Sequence, residues 1–106
     1  VEAIQIQQEH VMLRVLGVDV GTTDLVAAIW TDRQERVLGR FPNTLAGFAA
    51  LETAVGGPPD RMLIEPTGGY ELVLAAWAIA RGWVVCRPNP RHALRPVPSR
   101  GSALAR

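Results

Sequence analysis

Two carboxylates stand where packing alone would not put them. Asp19 interrupts the apolar run Val15-Leu16-Gly17-Val18-Asp19-Val20, and Glu65 follows Met62-Leu63-Ile64 directly before Pro66. A carboxylate buried without a partner costs several kcal/mol. The cost is tolerated when the group binds a cation, pairs with a donor, or sits at an open strand end. If both runs are strands, alternation puts Asp19 on the side of Val15 and Gly17, and Gly17 leaves space beside it. If the strands are neighbours, the two acids face each other across about 4.8 Å. Carboxylates that close repel unless a cation lies between them or one is protonated. Mg²⁺, a hard oxygen-seeking ion, fits such a pair, with Mn²⁺ as a substitute. Paired metals of this kind activate water and stabilise the leaving oxygen in phosphodiester cleavage. Taken singly, each acid has a plainer reading: Asp19 as a turn former or backbone acceptor, Glu65 as the mark of a strand end.

Thr67-Gly68-Gly69-Tyr70 follows the second acid. Two glycines permit positive φ and close backbone approach, and a helix start offers free N–H groups to a phosphate. An ordinary strand-to-helix turn would use the same residues.

The elements that must position these groups are legible from periodicity. Residues 15–20, 25–30 and 36–41 read as three strands joined by short turns, an antiparallel meander. Pro42-Asn43-Thr44 offers helix-start chemistry, and the spacing of Leu45, Phe48, Ala49, Leu51 and Ala54 predicts a helix over 44–55. Gly56-Gly57-Pro58-Pro59 ends it. Residues 61–65 form a fourth strand, 70–81 a second helix closed by Gly82, and 83–87 a fifth strand ended by Pro88-Asn89-Pro90. Strands joined through helices should run parallel, so the first, fourth and fifth strands form the parallel part of a mixed sheet. This α/β element order is that of the RNase H-like superfold, a scaffold that hosts unrelated chemistries.

The chain of 106 residues allows one domain. Residues 1–13 form a polar leader expected to be poorly ordered, 14–92 the domain, and 93–106 a basic irregular tail. The natural start is expected near Met12. No run approaches the roughly 18 apolar residues of a membrane span, and the leader is too polar for a secretory signal. The single cysteine, Cys86, excludes an internal disulfide and is expected to be buried on its strand. A cytoplasmic protein without membrane contact is the resulting expectation. Net charge is +1 but segregated: all ten acids lie at or before Glu71, and from Arg81 onward there are six arginines and no acid. A basic end of that kind can meet a nucleic-acid backbone or simply be solvated. His10 and His92 lie outside any ligand spacing and read as surface residues. Trp30, Trp77 and Trp83 read as core packing rather than base stacking.

Three stretches together, Gly17-Val18-Asp19-Val20-Gly21, Phe41-Pro42-Asn43-Thr44 through Gly47-Phe48, and Glu65-Pro66-Thr67-Gly68-Gly69-Tyr70, resemble the amino-terminal domain of the insertion-sequence one-ten family of transposases. Asn89-Pro90-Arg91 extends the likeness, which covers about residues 14–92. The family is related to the Holliday-junction resolvase RuvC. The resemblance implies a RuvC-like mixed sheet of five strands with helices, lacking the carboxy-terminal part of the domain. It implies an Asp-Glu-Asp-Asp tetrad that binds Mg²⁺ and cuts and joins DNA, with Asp19 matching the first member and Glu65 the second. It also implies nucleic-acid contacts at Thr67, Gly68, Gly69, Tyr70, Arg87 and Arg91. In the intact family the last two acids lie beyond the Asn-Pro-Arg stretch, a downstream domain supplies a serine nucleophile, a guide RNA helps choose target DNA, and the parent protein is expected to be a homo-oligomer. This chain departs from the pattern at Thr22, where the family often has Lys, and after Arg91, where helical acid-containing sequence should follow.

Gly17-Val18-Asp19-Val20-Gly21-Thr22-Thr23 also resembles the first phosphate loop of the sugar-kinase and actin-like ATPase superfamily, which needs a second similar domain and does not account for residues 65–70. A non-catalytic remnant that binds nucleic acid weakly is a third reading. Two acids hold metal poorly where four are expected, so the chain by itself is expected to be inactive. The Arg- and Pro-rich tail is read as a frameshifted or decayed remainder. Reading the coding DNA in the other two frames after about codon 91 should recover a Lys-Thr-Asp-x-x-Asp-like stretch; its absence from both frames would sink the frameshift idea.

Overall fold

The computed structural model describes residues 13–32, 34–65, 68–89 and 93–96. Its elements are β1 (Arg14–Val20), β2 (Asp24–Thr31), β3 (Gln34–Pro42), α1 (Leu45–Val55), β4 (Arg61–Ile64), α2 (Leu72–Ala80), β5 (Val85–Asn89) and β6 (Ala93–Pro96). One mixed sheet has the order β3-β2-β1-β4-β5-β6. β1, β2 and β3 pair antiparallel as a meander, β1–β4 and β4–β5 are parallel, and β5–β6 is antiparallel. The five expected strands are present. The sixth falls in the segment read as irregular, and β5 runs on to Asn89. Pro88 and Pro96 hid this pairing, because proline lacks a ladder donor and argues against a strand except at a sheet edge, where β6 lies.

Alternation assigns the two faces of the sheet. Leu16, Val18 and Val20 of β1, Leu25, Ala27 and Ile29 of β2, Met62 and Ile64 of β4 and Val85 of β5 are all buried. They form one core with Phe48, Leu51 and Val55 of α1 and with Leu74, Ala75 and Ala78 of α2. Trp77 joins this layer, tilted against Phe48 at 5.6 Å and edge-on to buried Trp83 at 5.3 Å. Asp19, Val26, Trp30, Val37 and Glu65, which carry the opposite alternation, are exposed. Both described helices thus pack on one face. Asp19 is exposed rather than buried, because its strand, although central, has a face that no described element covers.

Local chemistry fixes the crossover from β3 to β4. Thr44 caps α1, its Oγ1 accepting from the Gly47 N–H at 3.0 Å. Gly56, at φ 80°, closes the helix in the left-handed conformation that glycine adopts without steric cost. Arg14 then fastens the return. Its N–H donates to Asp60 Oδ2 at 2.7 Å, its carbonyl accepts from the Asp60 N–H at 2.8 Å, and its guanidinium reaches the carbonyls of Val55 and Pro58 at 2.5 and 3.2 Å. No helix among the described residues is long and apolar enough to cross a membrane.

Gly47 sits where α1 presses on the end of β3. A Cβ there would stand 1.9 Å from the Pro42 carbonyl oxygen, a backbone atom that cannot turn aside. Gly47→Ala should therefore destabilise the domain by about 1–3 kcal/mol, the usual range for overpacking. Urea unfolding of the wild type and variant measures the difference; unchanged midpoints would contradict this packing.

Candidate functional site

The last paired residues of the parallel β1–β4 ladder are Val18 and Ile64. Asp19 is the next residue of β1, and Glu65 directly follows the last residue of β4. They therefore lie side by side near the carboxyl ends of two neighbouring central strands, whose backbones run about 4.8 Å apart. Both are exposed on the uncovered face, and both line one open depression of about 420 Å³. Gly17, Val26, Ala28, Trp30, Glu35, Val37 and Leu63 also line it. None of the ion pairs among the described residues involves Asp19 or Glu65. On the same face Arg40, opposite Val26, is engaged by Asp24 at 2.6 Å.

Two adjacent carboxylates without an ion-pair partner among the described residues, open to solvent, are a donor set that suits a hard divalent cation. Among the described residues no cluster of three or more acid, histidine or cysteine side chains could complete a shell, so water or substrate oxygens would supply the remaining positions. Hard cations such as Mg²⁺ accept that readily.

The remaining predicted site residues divide. Gly68 and Gly69 take positive φ, 80° and 113°, and Tyr70 is exposed beside them. α2 begins two residues after Tyr70, and the Gly69 N–H is already bound by Glu71 Oε1 at 3.1 Å. That amide, expected to face a phosphate, is thus occupied by the protein's own carboxylate. Arg87 belongs to the other side of the sheet: it follows Val85 by two residues, on the helix-covered face, and its guanidinium lies 3.8 Å from Glu71. Thr67 and Arg91 lie outside the described residues. Cys86 is buried, as expected. Trp30 departs from its expected core role. It is 48% exposed at the edge of the depression, whereas Trp83 is buried.

Two residues that shape the site escaped the sequence reading. Asn43, read as helix-start chemistry and as part of the Phe41–Phe48 stretch of the resemblance, bridges two turns. Its Nδ2 donates to the carbonyls of Gly21 at 3.1 Å and Tyr70 at 3.2 Å, and its N–H donates to Thr23 at 3.0 Å. It ties the β1–β2 turn after Asp19 to the glycine turn after Glu65. Glu71 is 3% exposed. Its signal was available: Glu71, Leu74, Ala75 and Ala78 share the i, i+3, i+4, i+7 stripe, so an acid occupies a buried helical position.

No protein-family model matches the chain, and no curated protein matches it.

Removing the Asn43 amide leaves the Gly21 and Tyr70 carbonyls without that donor. Asn43→Ala should cost about 1–2 kcal/mol, the range for a partly buried hydrogen-bonding side chain. It should also speed amide exchange at Gly69 and Tyr70 more than at α1. Exchange that rises uniformly over the chain would argue against a local bridge.

Proposed function

We propose that the chain is the amino-terminal part of a DEDD-type transposase or recombinase, with Asp19 and Glu65 as the first half of a Mg²⁺-binding set acting on DNA. One observation carries the reading: two exposed carboxylates with no ion pair among the described residues lie side by side at the carboxyl ends of adjacent parallel strands, where open α/β sheets bind ligands. The mixed sheet with a meander followed by parallel strands is compatible with an RNase H-like arrangement. A divalent ion held there would activate a water and stabilise the leaving oxygen of a phosphodiester. Asp19 and Glu65 contribute charge and orientation. The bare Gly17 position beside Asp19 leaves room for a phosphate. Contacts with a guide RNA and homo-oligomer formation belong, on this reading, to the intact parent protein.

The phosphate-loop reading of residues 17–23 places the ligand over the β1–β2 turn. The depression instead runs along the sheet face and includes Glu65, which favours the metal-carboxylate reading.

Ligand linkage supplies the test. If Mg²⁺ is added to ten times its dissociation constant, the folded state should gain about 1.4 kcal/mol, seen as a rise in the thermal midpoint. Asp19→Asn and Glu65→Gln should each abolish the rise. An equal rise in all three proteins would refute the assignment. The 106-residue chain should not cleave DNA with Mg²⁺ or Mn²⁺, since it holds two of four acids; cleavage lost in Asp19→Ala would show that two suffice. ATP-dependent phosphorylation of a small molecule would replace this reading with the kinase one.

A further inference from the structure

The β1–β4 ladder stops one step short of the two acids, at Val18 and Ile64. Beyond that pair Asp19 and Glu65 are held unequally. Asp19 remains inside the sheet, paired on its other side with Val26 of β2. Glu65 lies past the last residue of β4, and the ladder from β4 to β5 reaches only Leu63 and Cys86. Among the described residues, the backbone that leaves Glu65 is next fixed at the glycine turn. There Glu71 Oε1 accepts from the Gly69 N–H at 3.1 Å, and Asn43 Nδ2 donates to the Tyr70 carbonyl at 3.2 Å. The same Nδ2 donates to the carbonyl of Gly21, two residues after Asp19, at 3.1 Å. One NH2 group thus joins the segment leaving the first acid to the segment leaving the second.

The start of α1 does not call for an amide at this position. Its cap is Thr44, whose Oγ1 accepts from the Gly47 N–H and whose carbonyl accepts from the Phe48 N–H. The bridge does call for one. Two carbonyls aimed at one side-chain atom need two donor hydrogens on it, which an asparagine NH2 carries and a hydroxyl or carboxylate lacks. The mount of that side chain is stiff. Pro42 before it pairs with Asp24 at the end of the β2–β3 ladder, its own N–H donates to the Thr23 carbonyl at 3.0 Å, and α1 begins two residues later. The β1–β2 turn is closed by the Gly21 N–H on the Asp24 carbonyl at 2.7 Å. The permissive side of the bridge is the other one, where Gly68 and Gly69 take φ of 80° and 113°.

We propose that Asn43 is a positioning residue that sets the separation of the Asp19 and Glu65 carboxylates, and through it the choice of cation. This rests on the metal reading above. Asn43 acts through the two backbones rather than on the ion. Mg²⁺ demands near-ideal octahedral geometry at about 2.0–2.1 Å, whereas Ca²⁺ accepts oxygens at about 2.3–2.6 Å in irregular shells. A fixed spacing of the acids suits the smaller ion, and a loosened one penalises it first. Linkage makes the coupling reciprocal, so a bound cation tightens the bridge by the factor by which the bridge tightens the cation.

Mn²⁺ binding to the full chain is followed by electron paramagnetic resonance, with Mg²⁺ and Ca²⁺ titrated as competitors. The wild type should bind Mn²⁺ and release it to Mg²⁺, and Asp19→Asn should abolish that binding. Asn43→Ala should weaken Mn²⁺ and Mg²⁺ binding about tenfold, as loss of an outer-shell partner does. Ca²⁺ binding should fall by less, so the preference for Mg²⁺ over Ca²⁺ declines. Val55→Ala truncates a buried side chain at the far end of α1 and serves as a destabilised control; its affinities should match the wild type. A measurement on the wild type alone does not depend on the variant folding: saturating Mg²⁺ should slow exchange of the Asn43 side-chain amide protons with water, read by nuclear magnetic resonance. Wild-type affinities in Asn43→Ala, an equal loss in Val55→Ala, equal losses for Mg²⁺ and Ca²⁺, or amide exchange unchanged by Mg²⁺ each overturn the positioning role. Asp19-dependent Mn²⁺ binding by the wild type then leaves the metal reading standing. A wild type that binds no Mn²⁺ overturns both, and Asn43 is then a brace of the fold alone.

Discussion

Parallel pairing of β1 with β4 aligns Val15 with Arg61 and Val18 with Ile64. Side chains alternate with a period of two, so a slip of one residue would carry Glu65 to the helix-covered face and Ile64 into water. The core forbids that slip, because Met62 and Ile64 are both fully buried against the helices. The packing that stabilises the domain therefore also sets the two acids side by side. Arg14 and Asp60 hold the same register from the other end of the strands, through reciprocal backbone and carboxylate hydrogen bonds. Here the fold and the site depend on one ladder.

The carboxyl end of that ladder is held by polar contacts rather than by more core. Asn43 links the turn after β1 to the turn before α2, and Glu71 holds the Gly69 amide from beneath while facing Arg87. The Glu71–Arg87 contact is long and the arginine is partly exposed, so its worth lies in orienting the glycine turn more than in stability. The buried Arg87 Nε has no hydrogen-bond partner among the described residues, a further sign that this pair is geometrically imperfect. At the far edge, β3 carries a bulge where Gly39, at φ 123°, shifts the register against β2 between Ala27 and Ala28. Bulges and charges such as Glu35, Arg36 and Arg40 discourage pairing of an exposed edge with other chains.

Much of the fold was legible because its signals are local. The glycine–proline cluster after α1, the threonine cap and the short apolar runs each act within a few residues, and the strands and helices appear where they predict. What was misread has separate causes. The β5–β6 pairing was hidden by Pro88 and Pro96. Trp30 was assigned to the core because a tryptophan on an apolar strand usually packs, which treats the sheet as covered on both faces. Periodicity separates the faces of a strand, but it does not say which face has a partner.

The sequence by itself determined the order of the elements, their approximate ends and the presence of an acid on each of two strands, because caps, turns and alternation are short-range properties of the chain. Only the tertiary structure decided that those acids share a face and that no described element covers it. It also decided that an indole stands at its far end and that Asn43 and Glu71 brace the turns. Those are relations between segments tens of residues apart, set by strand register and by which side of the sheet the helices cover.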